Sequence, residues 1–245
     1  MGIKGKLVSA KSKVKKDAIY RRAYIWIALI FVFIGVGFFP SYFSRLSKTD
    51  LAHHIHAIIG LSWMVLVLGQ TYLIGHGDVH GHRKAGILSF ILAPSLVITG
   101  IYMTQLNLAD GPLGLGDGRL GLAYENVGLL LYFSLFVILA FVYRHDFRRH
   151  QRFMVCTAFV AIPPAVARIP VFYLPRGMVP VWQADRLSLV LIVVITAVLL
   201  VNDWRKGKLY FAYAFTFIFF LVQIATVRLF LNWHLWLEFS HWLAG

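Results

Sequence analysis

The residues best suited to chemistry are histidines bracketing one apolar stretch, LAHHIHAIIGLSWMVLVLGQTYLIGHGDVHGHRKAG, residues 51–86. His53 and His56 stand three apart, so on a helix both rings reach the same ion. With Glu125 and Asp185 from other segments they form a candidate site for a divalent metal: His53, His56, Glu125 and Asp185. A second chemistry needs two imidazoles on different helices, facing each other at one depth, to hold haem b. His82 with His150 is one such pair, and His56 with His234 is another. Arg168 is a candidate for neutralising a propionate. The candidate cofactor-binding residues are therefore His56, His82, His150 and Arg168.

These residues must be positioned by helices. The chain has 245 residues, 59% hydrophobic and only 14% charged, against about 25% charged in soluble domains. The apolar residues fall in runs of about 20, enough to cross a hydrocarbon core, and no alternating strand pattern accompanies them. The expected fold is all-α and integral to the membrane, with seven transmembrane helices in one bundle. The spans are placed at about 24–43, 51–75, 84–104, 120–143, 153–174, 181–202 and 209–231. Residues 1–23 form a basic tail, 24–231 the transmembrane domain, and 232–245 an amphipathic interfacial segment. The first run is too long and aromatic for a signal-peptide core.

The net charge of +14 does not point to nucleic acid. The basic residues sit between apolar runs, where they orient the chain and meet anionic headgroups of the bilayer. They concentrate in the tail and in the segments around 83–84, 144–152 and 205–208. The positive-inside rule then puts the N-terminus in the cytoplasm, and the expected location is a bacterial inner membrane. Cys156, the single cysteine, lies in an apolar run; the chain can form no internal disulfide and no cysteine metal cluster.

Charge inside a span is costly and needs a partner or water. Glu125, Arg168, Asp185, Arg186 and Arg228 all fall inside spans, near the ends opposite the basic segments, and His56 joins them at the same depth. His56, Gly60, Trp63, Val67 and Gln70 share one stripe of the second span, which marks its protein-facing side. Pro163 and Pro164 interrupt the fifth span beside Arg168. These features predict a polar site in the outer half, or a salt-bridge network that locks the bundle.

Several motifs in order resemble an uncharacterised group of bacterial multi-pass membrane proteins. They are His56, Trp63 and Gln70, then His82-Arg83-x-x-Gly86, Thr99-Gly100, His150-x-Arg152-x-Met154, Pro164-x-x-x-Arg168-x-Pro170, Asp185, and Asp203 before Gly207-Lys208-Leu209. Tyr210 stands where that pattern expects histidine. The resemblance implies that His56, His82, His150, Arg168 and Asp185 are the positions to test, and brings no activity with it. In outline the chain is also similar to the two-haem cytochrome b561 group, although its candidate ligands sit nearer the helix ends. The H-x3-H spacing of His76 and His80 resembles the boxes of membrane di-iron enzymes, which use more histidines than this chain offers. The leading expectation is a buried polar site in the outer half, binding haem or a metal for a redox role. The alternatives are an accessory subunit partnered with other membrane subunits, and a proton or small-anion transporter.

Overall fold

The computed structural model describes residues 22–109, 117–175 and 177–245. The described residues are helical and contain no strands. The basic tail expected over 1–23 lies outside them, apart from its last two residues.

The elements are α1 (Ala23–Phe38), a 3-10 turn (Phe43–Lys48), α2 (Leu51–His76), α3 (Val79–Gly86) and α4 (Ser89–Ala109). Next come α5 (Asp117–Val142), α6 (Phe147–Thr157), a 3-10 turn (Ala158–Ala161), α7 (Ile162–Val166) and α8 (Arg168–Tyr173). The chain ends with α9 (Val181–Arg205), α10 (Phe211–Leu231) and α11 (His234–Ala244).

Among the described residues, six helical stretches are long and apolar enough to cross a membrane: Leu51–His76, Ser89–Ala109, Gly118–Val142, Phe147–Tyr173, Gln183–Arg205 and Phe211–Leu231. The expected first span appears as the shorter α1, of 16 residues. The expected third span begins later, because α3 is a separate short helix before α4.

Local chemistry explains the breaks. Asp50 caps α2 by accepting from the His53 amide at 3.0 Å, and Gly77, at φ 83°, ends it in the left-handed region. Asp78 then caps α3 through the Gly81 amide at 2.8 Å, so the chain reverses within a few residues. Asp146 caps α6 through the amides of Arg148 and Arg149. Pro163 and Pro164 cannot supply backbone donors, and the fifth span accordingly passes through a 3-10 turn into two short helices.

The helices close into a ring. Going round it, α1 packs on α2, α2 on α4, α4 on α5, α5 on α10, α10 on α9, α9 on α7, and α7 back on α1. α6 leans inward on α5 and α10. Trp63, Tyr132, Phe133, Phe136, Phe153, Leu189, Ile192 and Phe220 fill the centre, with Cys156 wholly buried among them. Gly37 lets α1 approach the backbone of α7, since a Cβ there would collide with the Ala165 carbonyl. Large apolar side chains such as Trp26, Val65, Ile98, Ile138, Val198 and Leu229 face outward, as suits a surface bathed in lipid. α11 lays Trp236, Ser240 and Leu243 against α4 and α5 and exposes Leu235 and Trp242.

Candidate ligand cavity at the basic end

The bundle has a basic end, where α3 and the α5–α6 and α9–α10 connections lie, and an opposite end. At the basic end, the reversal at Gly77 folds α3 back along α2 and carries His82 beside Gln70. The ring of His82 reaches the Gln70 backbone carbonyl, while its Nδ1 is buried with no fully formed hydrogen bond. Burial, then the neighbouring His150 and Arg83, pushes the His82 imidazole down to about 4. It is a neutral base at physiological pH.

His150 lies in the first turn of α6. Its Nδ1–H donates to the Ala140 carbonyl at 2.8 Å, which fixes the tautomer and leaves Nε2 as the lone pair. The two rings meet with centroids 6.1 Å apart and planes at 86°.

Both rings line a cavity of about 1130 Å³, large even for a small-molecule site. Leu66, Val67, Phe141, Met154 and Val155 give it an apolar lining, and Phe90 lines it from an exposed position. Arg22, Arg83 and Arg144 line the same cavity and are exposed at its mouth. His76 also borders it, its ring tilted 32° to that of Tyr72 with centroids 4.0 Å apart.

The other candidates are placed differently. His53 turns back on Asp50 at 2.6 Å, on the surface. His56 meets the Thr99 hydroxyl at 3.0 Å. Glu125 is buried on α5, within electrostatic reach of Asp185 and Arg186 on α9, and Asp185 feels Arg168 in turn. Arg168 donates to the Ser41 hydroxyl at 3.2 Å and to the Pro164 carbonyl, and lies over the Phe38 ring at 4.4 Å. It ties α1 to the broken fifth span. Among the described residues, no three His, Cys, Asp or Glu side chains are grouped to hold a metal ion, so His53, His56, Glu125 and Asp185 do not come together as one site. Of the alternative haem pair, His234 is exposed beside Glu238 at 3.5 Å, and His56 Nδ1 is engaged by Thr99.

Sequence reasoning placed Arg152 with the surface charges of its segment. The structure buries it against Asp203, at 1% exposure for each residue. Both residues stood among the motifs, but as a complementary pair 51 positions apart, which spacing alone cannot link. The cavity walls were equally hidden, because Phe90, Phe141 and Met154 come from three separate helices.

Comparison with protein-family models, with curated proteins and with solved structures found no match in any of the three. The function has to be read from the geometry.

Proposed function

We propose that the cavity at the basic end binds haem b through His82 and His150, and that the protein is a membrane electron carrier. The separation of the two rings carries this reading. Two iron–nitrogen bonds of about 2 Å each, plus about 1.1 Å from each nitrogen to its ring centre, place the centroids roughly 6 Å apart. The observed separation is 6.1 Å.

The remaining features support the same ligand. Neutral imidazoles are what an iron needs, and the His82 environment keeps its ring neutral. The Ala140 carbonyl holds His150 in the tautomer that frees Nε2. Apolar side chains suit the porphyrin faces and exclude water. Arg22, Arg83 and Arg144 suit two carboxylates at the mouth. When bound, haem supplies one-electron chemistry; the chain holds it, orients it and tunes its charge environment. The same reading takes α1 as a seventh span and the basic end as cytoplasmic, supported by the Lys/Arg concentration there.

Purification in mild detergent tests it. A Soret band, with one haem per chain by pyridine haemochrome assay, is expected, and it disappears in His82→Ala and in His150→Ala. A protein expressed with ample haem that shows no Soret absorbance overturns the proposal.

A further inference from the structure

His150 and Arg152 stand two apart on α6. A helix turns about 100° per residue, so their side chains leave nearly opposite faces. One face turns His150 toward His82. The other sends Arg152 to the end of α9 and the start of α10. There Nε donates to Asp203 Oδ2 at 3.0 Å and Nη2 to Oδ1 at 2.8 Å. Nη1 donates to the Arg148 carbonyl at 2.9 Å. The Tyr210 ring lies 3.6 Å from the guanidinium carbon, and Tyr213 stands 5.8 Å away. The side chains of Arg152 and Asp203 are each 2% exposed.

A buried pair of this kind is weak evidence for stability, because desolvation cancels much of its attraction; fixing one register is the better-attested use. α6 has need of it. The helix is 11 residues long and changes to a 3-10 turn ahead of the two prolines, so the regular α-helical hydrogen bonding that would fix its rotation to the rest of the span is interrupted. Its rotation therefore depends also on its side contacts, and the forked Arg152–Asp203 pair is the most directional of them.

We infer that Arg152, Asp203 and Tyr210 form a rotational lock that aims His150 at His82, making Arg152 and Asp203 positioning residues for the cofactor site. This rests on the haem reading above. The lock fixes the angle between the imidazole planes. As a neutral pair it also adds no net charge near the iron. Removing the carboxylate leaves an uncompensated cation, which disfavours the ferric state and raises the potential.

The test compares wild type, Arg152→Lys, Asp203→Asn and the apolar pair Arg152→Met/Asp203→Leu, chosen because such replacements commonly preserve folding. The readouts are haem content, the ferric low-spin electron paramagnetic resonance spectrum and the midpoint potential. Asp203→Asn is expected to change the oxidised-to-reduced ratio at fixed potential by at least tenfold, which is about 59 mV for one electron. Arg152→Lys and the apolar pair are expected to move the largest g-value. Folded, haem-loaded variants with the wild-type spectrum and potential overturn the lock, whereas a wild type without haem overturns the haem reading alone. A second arm needs no haem: His82→Cys and His150→Cys, combined in a Cys156→Ser background, are joined by a short bifunctional thiol reagent. Asp203→Asn is expected to slow that cross-linking at least tenfold, and an unchanged rate overturns the lock even where the first arm gives no signal.

Discussion

The two ends of the bundle set their ionisable groups differently: between helices at one end, along the wall of a cavity at the other. At the opposite end, Arg168 is occupied by Ser41, Pro164 and Phe38, His56 by Thr99, and His53 by Asp50. At the basic end, two imidazoles face each other in a cavity of about 1130 Å³, each with a ring nitrogen left for a ligand. The difference teaches that buried charge alone does not mark a site. A charge can be buried because it holds helices together, as Arg168 does. A ligand site also leaves space beside such groups, as the cavity beside His82 and His150 does.

The comparison breaks most sharply on the histidines. His82→Ala and His150→Ala are each expected to abolish stoichiometric haem, whereas His56→Ala retains it. Absorption spectra of the purified variants decide the matter, and the reverse pattern moves the site to the other end. Ferric wild type should also show the large maximum g-value of nearly perpendicular imidazole planes, given the 86° between the rings.

The next effect concerns the helix that Arg168 ties down. Gly37→Val places side-chain atoms where the Ala165 carbonyl sits, so α1 must lift away from α7. Overpacking of this kind costs about 1–3 kcal/mol, and thermal unfolding in detergent should show the loss. The Soret band should survive in the folded fraction, because the ligands lie on α3 and α6.

The bundle was largely legible in the sequence because apolar run length and the placement of charge are local signals. The long spans fall close to their expected limits, and the prolines at 163 and 164 do break the fifth. What differed has physical causes. The third span starts late because Gly77 and Asp78 build a reversal and a cap, which makes α3 a helix of its own. That same reversal brings His82 inward from the surface, so the histidine that looked like a loop residue becomes half-buried. The outer charged layer drew attention because depth is readable from sequence. Long-range partnering is not: whether Arg168 meets Ser41, 127 residues away, depends on how α1 docks.

Charge at the cavity mouth gives a smaller effect. Arg83→Gln with Arg144→Gln removes two cations placed for carboxylates, and haem affinity should fall about tenfold, or roughly 1.4 kcal/mol. Competition with apomyoglobin measures it. The pH dependence sharpens the same point. An ordinary histidine ligand competes with protons below about 6.5, but His82, held at about 4, stays neutral to much lower pH. Proton competition at His82 should therefore begin only as pH approaches about 4. The stability of the haem-free protein has the opposite sensitivity. Between about 6.5 and 4 the unfolded ring binds a proton that the folded ring refuses, so stability declines as pH falls through that window.

The smallest effect belongs to the opposite end. Thr99 donates to the Ser95 carbonyl at 2.9 Å, which leaves its oxygen free to accept from His56 Nδ1 at 3.0 Å. Thr99→Val keeps the shape and removes that acceptor, stranding a half-buried imidazole N–H. One such loss costs about 1 kcal/mol, read as a small drop in unfolding midpoint. If His56 is architectural, the haem spectrum, potential and stoichiometry stay at wild-type values while stability falls. A change in any of those three without a change in stability would place His56 in the cofactor site and erase the distinction between the two ends.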